Sequence, residues 1–219
     1  MGAPQLTLFE PCDTIVADDD RGTIAYMPSF ISASESAALF QELIREAEWN
    51  AQRRVMYDRE LEVPRLTAGY VIDSREKPLP PLLRLAARKV IDTLDVSFTS
   101  VGLNLYRSGQ DSVAPHNDHL DELRRGYPIA LLSLGATRRM TVRAKQPPKR
   151  VIHIDLEAGS LFVMSYQTQI HYTHGIPKTA ETVGPRVSLA FRVRPVGETS
   201  NRYWAGTRTS VSLPDPSST

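Results

Sequence analysis

The sequence predicts an α+β fold in which two helices back a double-sheet β-barrel. Apolar residues with helical spacing occur in the first half of the chain, whereas short β-type runs separated by glycine and proline occupy the chain from about residue 99 onward. Helices that precede a strand-rich half, instead of alternating with strands, are typical of α+β domains. A chain of 219 residues is long enough to bury one full core, so we expect a single main domain.

Two helices are predicted in the first half. Ser32 and Glu35 form a capping box at the start of the first helix, which ends at Trp49. Its apolar residues recur along one stripe: Leu39, Phe40, Leu43, Ile44 and Ala47. The second helix follows Pro80-Pro81, and its predicted buried stripe is Leu83, Ala87, Val90 and Leu94. The segment between the helices, residues 51–78, is predicted to be irregular.

Seven strands are predicted in the second half of the chain. They lie near residues 100–107, 129–134, 138–144, 151–156, 160–165, 171–176 and 186–194. The domain that they form with the helices is expected to span residues 23–195. Residues 1–22 are predicted to be a partly ordered arm, and residues 196–219, which are rich in Ser, Thr and Pro, a loose tail.

The bulk composition excludes several classes of protein. Lys and Arg total 26 against 25 Asp and Glu, so any basic surface must be local. The single cysteine, Cys12, excludes an internal disulfide framework and a cysteine-rich zinc site. The chain shows neither a signal-peptide pattern nor a run of about 18 apolar residues. We therefore expect a cytoplasmic monomer without a membrane association.

Two histidines and one aspartate predict a metal site. His116 and Asp118 are two residues apart, a spacing that puts both side chains on the same side of an extended segment. Two imidazoles and one carboxylate can occupy one face of an octahedral Fe(II), leaving the opposite face for a cosubstrate and O2. The third ligand comes from the later segment that contains both His171 and His174.

Six motifs, in a fixed order, carry a resemblance to a known family. They are Asn104-Leu105-Tyr106-Arg107-Ser108-Gly109, His116-Asn117-Asp118, Ser133-Leu134-Gly135-Ala136-Thr137-Arg138-Arg139, Gly159-Ser160-Leu161, His174-Gly175-Ile176-Pro177 and Pro185-Arg186-Val187-Ser188-Leu189-Ala190-Phe191-Arg192. Over roughly residues 24–195, the sequence resembles the AlkB family of Fe(II)/2-oxoglutarate dioxygenases. Its style is nearest to the branch that includes the animal DNA-repair demethylases.

The resemblance implies a double-stranded β-helix (jelly-roll) core that uses Fe(II), 2-oxoglutarate and O2. It implies that iron is ligated by His116, Asp118 and His174, with His171 at most a neighbour of the ligands. For 2-oxoglutarate it implies that Arg186 pairs with the distal carboxylate, assisted by Tyr106, and that the metal-chelating end is held by Asn104 and Arg192. A planar guanidinium suits the distal site because it can donate to both oxygens of a carboxylate.

The activity that the resemblance implies is oxidative demethylation of N-alkylated bases in DNA, such as 1-methyladenine or 3-methylcytosine. Its products are formaldehyde, succinate and CO2, and no side-chain nucleophile is needed. Demethylation or hydroxylation of RNA bases is an alternative. A non-catalytic module that binds nucleic acid or a sliding clamp, and hydroxylation of a protein or small molecule, are the others.

Two segments are candidates for binding the substrate. Residues 138–150 contain six cations and no acid: Arg138, Arg139, Arg143, Lys145, Lys149 and Arg150. They predict either an edge that contacts DNA phosphates or a solvated hairpin face. Arg65 and Tyr70 lie in the segment that resembles the nucleotide-recognition lid of the family, residues 51–78, where Tyr70 either stacks on a flipped base or packs in the core.

Two further features concern substrate and partners. Many DNA-repair members of the family carry an acid two residues beyond the metal-binding aspartate, which accepts from the exocyclic amino group of the base; here that residue is Leu120. Near the N-terminus, Gln5-Leu6-Thr7-Leu8-Phe9 resembles the Q-L-x-L-F peptide by which bacterial repair proteins bind the sliding clamp. The alternative is that these apolar residues form a first strand over the core.

Overall fold

The structure is a computed structural model that describes residues 14–56, 59–195 and 208–210. Its helices are α1 (Ala33–Glu46), α2 (Pro81–Leu94) and α3 (Tyr166–His171), with a short 3-10 turn at Leu120–Glu122. Its strands are β1 (Thr14–Asp19), β2 (Gly22–Met27), β3 (Asn50–Met56), β4 (Arg59–Val71), β5 (Ser100–Tyr106), β6 (Val113–His116), β7 (Ile129–Gly135), β8 (Arg138–Ala144), β9 (Val151–Leu156), β10 (Leu161–Met164), β11 (Tyr172–Ile176), β12 (Arg186–Arg192) and β13 (Arg208–Ser210).

The strands form two antiparallel sheets. The large sheet has nine strands in the order β1-β2-β10-β7-β12-β5-β4-β3-β13, and the small sheet has four in the order β6-β11-β8-β9. Several neighbours, such as β10 and β7 or β12 and β5, are distant in sequence, as expected when a chain winds back and forth between two sheets. The predicted α+β fold with a jelly-roll core is confirmed.

Two apolar cores hold these layers together. The first lies between the helices and the large sheet, and it contains Leu43 of α1, Leu83 of α2 and Leu189 of β12. The second joins the two sheets to each other, with Phe162 on the large sheet and Val142 on the small one. Leu43, Leu83, Leu189, Phe162 and Val142 are all fully buried, so both cores are closed to bulk solvent.

Both predicted helices are present. The capping box of α1 is formed, because the hydroxyl of Ser32 accepts from the Glu35 backbone N–H at 3.2 Å and the Glu35 carboxylate accepts from the Ser32 backbone N–H at 2.8 Å. Pro81 is the first residue of α2, a position where its missing N–H removes no helical hydrogen bond. The apolar stripes of the two helices face the large sheet, as their periodicity predicts.

The segment predicted to be irregular between the helices is instead a hairpin. Strands β3 and β4 pair with each other, and β4 pairs with β5 so that Thr67 lies opposite Asn104. Charged residues interrupt the alternation of this segment, so the pattern alone does not indicate strands. Pairing with the buried strand β5 supplies the hydrogen bonds that decide its conformation. The short helix α3 was not predicted either.

The ends of the chain also differ from the prediction. Thr14–Asp19, within the predicted arm, form β1 and pair with β2. Within the predicted tail, Arg208–Ser210 form β13 and pair with β3. The clamp-like peptide at residues 5–9 lies outside the described residues, so its binding to a clamp stays a prediction. Among the described helices, none is long and apolar enough to cross a membrane.

A buried carboxylate joins the two helices. Glu42 of α1 is 5% exposed, and its side chain accepts from the backbone N–H of Leu82 at 2.9 Å and of Leu83 at 3.1 Å. These N–H groups belong to the first turn of α2, where no partner exists within the helix. The negative charge also faces the positive end of the helix dipole. Glu42 therefore acts as an N-terminal cap supplied by another helix.

We predict that Glu42→Ala lowers the free energy of unfolding by about 2 kcal/mol, because it leaves buried N–H groups without an acceptor. Glu42→Gln, which keeps an acceptor oxygen, should lose less. The control is Glu46→Ala, which removes an exposed acid from the same helix and should change stability by less than about 0.5 kcal/mol. Urea denaturation measures all three, and equal losses for Glu42→Ala and Glu46→Ala would contradict the capping role.

Candidate functional site

The His116–Asp118–His174 group comes together at the small sheet. His116 ends β6, Asp118 follows it, and His174 on β11 lies directly opposite His116 in the antiparallel pair. The two imidazole centroids are 4.5 Å apart, and one ligand atom from each of the three residues lies within 4.8 Å of the others. In the described part of the chain this is the one group of histidine, cysteine or acidic residues that can hold a metal ion. His171, the alternative third ligand, ends α3 and is not part of it.

A glycine makes this close pairing possible. Gly175 follows His174, and a Cβ at that position would lie 2.8 Å from the carbonyl oxygen of Val113 on β6. The register between β6 and β11 also shifts between His174 and Ile176. A side chain at residue 175 would push the strands apart, and with them the two imidazoles.

Both histidines are held in the form that binds metals. Burial lowers the pKa of His174 to about 3, and burial likewise lowers the pKa of His116. Both rings are therefore neutral near pH 7. The Nδ1 of His116 is 2.9 Å from the carbonyl oxygen of Ala114, which can only accept, so Nδ1 carries the proton and Nε2 keeps its lone pair.

Asp118 is paired with a cation from the large sheet. The Nε of Arg192 is 2.5 Å from Oδ2 of Asp118, and its second terminal nitrogen is 3.1 Å from Oδ1. Burial acts to raise the pKa of Asp118, but the Arg192 guanidinium outweighs it and holds the pKa well below its usual range. The carboxylate is therefore ionised and oriented, although its side chain is only 11% exposed.

Gln169 fixes the backbone of Asp118, a role that no sequence pattern indicated because α3 was not predicted. The side-chain carbonyl of Gln169 accepts from the Asp118 backbone N–H at 3.1 Å. Gln169 is 1% exposed, and its amide nitrogen donates to the hydroxyl of Thr168 at 3.1 Å. The Lys145 ammonium donates to the backbone carbonyl of Gln169 at 2.8 Å, which ties β8 to the same helix.

A pocket between the sheets adjoins the His116–Asp118–His174 group. It is lined by the four residues predicted to bind 2-oxoglutarate, together with Arg65 and several apolar side chains; the four are Asn104, Tyr106, Arg186 and Arg192. Pairing between β5 and β12 brings them together, because Tyr106 lies opposite Arg186 and Asn104 opposite Ser188. The alternation of side chains along each strand then directs them to the same face.

Arg186 is a buried cation with unused donors. It is 1% exposed, and its guanidinium donates to the hydroxyl of Ser133 at 2.8 Å. Its Nε and its other terminal nitrogen have no hydrogen-bond partner among the described residues. The Tyr106 ring centroid is 5.3 Å from its guanidinium carbon. Burying a guanidinium without an anion is costly, so this side chain fits the carboxylate of a bound ligand.

The cations of the 138–150 segment do not form one surface. Arg138 is 3% exposed and donates to the backbone carbonyls of Ser108, Asp111 and Pro177 at 2.7–2.9 Å. The prediction that it contacts nucleic acid is not supported by this position. Arg139 is exposed but paired with Asp155 at 2.7 Å, and Lys145 is bound to α3. Arg143 is exposed on the outer face of the small sheet.

Of the two residues predicted to contact the base, only Arg65 lines the pocket. Arg65 lines the pocket beside His116, and its Nε donates to the side-chain oxygen of Asn104 at 2.8 Å. Tyr70 is instead 6% exposed within the helix-facing core and does not line that pocket. Stacking of Tyr70 on a base is therefore not supported, because side chains five residues apart on β4 face opposite sides of the sheet.

Comparison with known proteins identifies the family. Residues 23–192 match the 2OG-Fe(II) oxygenase superfamily. The chain belongs to this superfamily. Human "DNA oxidative demethylase ALKBH2" is 32% identical over 73% of this chain and 69% of its own length. Bovine "Alpha-ketoglutarate-dependent dioxygenase alkB homolog 3" is 33% identical over 77% of this chain, which spans 65% of that relative's length.

These relatives assign the chain to the AlkB family, as the six motifs predicted. The solved structure of OsALKBH1 has the same fold, with a TM-score of 0.55 at 14% identity, covering 77% of this chain and 97% of that one. The family description names Fe(II) and 2-oxoglutarate. The chemistry of the site fits both, since it offers a His/Asp/His group for a metal and a buried, partly unpaired guanidinium for a carboxylate.

We predict that Gln169→Leu weakens binding of a divalent metal by about tenfold, because the loop that carries Asp118 loses its anchor. Titration calorimetry with Mn(II), which does not require oxygen-free handling, measures the effect. Gln167→Leu changes an exposed glutamine on the same helix and is the control. Equal metal affinities for the two variants would show that Gln169 does not position Asp118.

Proposed function

We propose that this protein is an Fe(II)/2-oxoglutarate-dependent dioxygenase that removes N-alkyl groups from nucleic-acid bases. DNA bases such as 1-methyladenine and 3-methylcytosine are the first substrates to assay. The observation that carries the proposal is the buried Arg186 guanidinium, which keeps unpaired donors in the same pocket as the His116–Asp118–His174 group. A metal site and an anion site so close together suit a cosubstrate that chelates the metal and ends in a carboxylate.

Each residue has a defined task in this proposal. His116, Asp118 and His174 ligate Fe(II), and Arg192 orients the Asp118 carboxylate. Arg186 and Tyr106 would bind the distal carboxylate of 2-oxoglutarate, and Asn104 would bind its metal-chelating end. The bound metal and cosubstrate supply oxidation of a C–H bond by O2, with one oxygen atom entering succinate and CO2 released.

The substrate's own chemistry completes the reaction. Oxidation of an N-methyl group gives an N-hydroxymethyl base, whose C–N bond breaks to release formaldehyde and leave a proton on the nitrogen. No nucleophilic side chain is required, and the apolar walls of the pocket, among them Leu131, Met140 and Ile176, limit access of water. Support for a nucleic-acid substrate comes from similarity to ALKBH2, whose name specifies DNA demethylation.

The proposal is tested by formaldehyde release with Fe(II), 2-oxoglutarate and O2. Methylated single-stranded DNA, double-stranded DNA and RNA are compared with a reaction that lacks substrate. We expect formaldehyde in proportion to succinate with at least one DNA substrate. Succinate formed at the same rate with every substrate, without formaldehyde, would contradict the demethylase activity.

The assignment of His174, and not His171, as a metal ligand predicts different effects when each histidine is replaced. His174→Ala should reduce formaldehyde release to background, because it removes a metal ligand. His171→Ala should retain most of the activity, because its imidazole is not part of the metal-binding group. Retained activity in His174→Ala, or loss confined to His171→Ala, would overturn the assignment.

The Arg186→Met variant allows cosubstrate binding and the stability of the protein to be tested separately. The unfolding temperature of the wild-type protein with Mn(II) should rise when 2-oxoglutarate is added, whereas that of the variant should not. Without 2-oxoglutarate the variant should be at least as stable as the wild type, because a buried guanidinium with unpaired donors is itself destabilising. The control, Arg88→Met on the exposed face of α2, should keep the response to 2-oxoglutarate.

A further inference from the structure

One charged residue of the pocket wall is not needed for metal or cosubstrate. Once the groups assigned to these ligands are set aside, the rest of the described lining is apolar apart from Ser188 and Arg65. The apolar residues are Val113, Leu131, Met140, Ile176 and Ala190. Arg65 is therefore the one remaining cation that a substrate meets in the described wall of this pocket.

The guanidinium of Arg65 is fixed but not saturated. Its Nε donates to the side-chain oxygen of Asn104 at 2.8 Å, and one terminal nitrogen approaches the carbonyl oxygen of Ser112 at 3.5 Å. An arginine carries five N–H donors in a rigid fork, so most of the fork remains available. Because Asn104 and Ser112 hold one edge of the fork, the side chain is already ordered before a ligand arrives.

The same wall lacks a free carboxylate. Both oxygens of Asp118 are bound by Arg192, and Leu120, two residues beyond Asp118, is apolar and 36% exposed. The side-chain oxygen of Asn104 is used by Arg65. The wall therefore offers strong N–H donors and no uncommitted carboxylate acceptor among the described lining residues. Such a wall favours a carbonyl oxygen over an amino group.

We propose that Arg65 determines specificity by donating to a carbonyl oxygen beside the methylated nitrogen of the base. The substrate class is then N-methylated bases that carry such a carbonyl, with 3-methylcytosine and 3-methylthymine preferred over 1-methyladenine. This inference rests on the proposed demethylase function. In 3-methylcytosine the carbon on one side of N3 bears O2, whereas in 1-methyladenine the carbons on either side of N1 bear hydrogen and an amino group.

Those two bases are matched in charge and in amino groups. Both are cations near neutral pH and both carry one exocyclic amino group, but they differ in the carbonyl oxygen and in ring size, so the part of their difference that depends on Arg65 measures recognition of the carbonyl. We expect kcat/KM for 3-methylcytosine to exceed that for 1-methyladenine by about tenfold or more in the same single-stranded DNA sequence, the usual effect of a charge-assisted hydrogen bond.

Variants at Arg65 test the cause of that preference. Arg65→Met should bring the ratio of the two kcat/KM values close to one, and Arg65→Lys should retain part of it. Using the ratio within each variant cancels any common effect of the lost bond to Asn104 on cosubstrate binding. Arg88→Met, which changes an exposed arginine of α2, should keep the wild-type ratio.

The outcomes separate this inference from the function on which it rests. Equal turnover of the two bases by the wild type, or an unchanged ratio in Arg65→Met, overturns the role of Arg65 while leaving the demethylase function in place. Absence of formaldehyde from every methylated base overturns both. If Arg65→Met does not fold, the wild-type ratio and that of Arg65→Lys still decide.

Discussion

The site depends on one strand pairing: His174 on β11 lies opposite His116 on β6. This pairing requires the bare backbone of Gly175, because any side chain there would meet the β6 carbonyl of Val113. Asp118 leaves β6 just beyond the pair and is held from outside it, by Gln169 through its backbone and by Arg192 through its carboxylate. The pairing of β6 with β11 and these two contacts to Asp118 together assemble a three-residue group that can hold a metal.

The two sheets divide the chemistry between them. The small sheet and the loop after β6 carry the metal-binding group, whereas the large sheet carries Asn104, Tyr106 and Arg186 on paired strands. The apolar core that joins the sheets holds the two sets at a fixed distance. This arrangement buries the Arg186 guanidinium with two nitrogens unpaired among the described residues. In the proposed function, binding of the 2-oxoglutarate carboxylate offsets the free energy that this burial costs.

Much of this could be predicted from local patterns. The capping box of α1, the apolar stripes of both helices and the spacing of His116 and Asp118 each depend on neighbouring residues, and each is present. The features that were not predicted depend on partners that are distant in sequence. The β3–β4 hairpin forms against β5, and the side chain of Gln169 accepts a hydrogen bond from the backbone of Asp118. Arg138 and Arg139 illustrate the limit, since adjacent residues on a strand face opposite sides and only one of the two is buried.

The residues proposed to hold the cosubstrate and the turn that follows Asp118 differ in how deeply they are buried. Tyr106, Arg186 and Arg192 are buried on β5 and β12, two strands in the interior of the large sheet, where each strand is paired on both sides. Leu120 begins an exposed turn that follows Asp118. A substitution there changes an exposed side chain close to Asp118 in sequence without moving a strand. Under the proposed function, substrate preference would change at this exposed turn while the buried residues assigned to metal and cosubstrate stay in place.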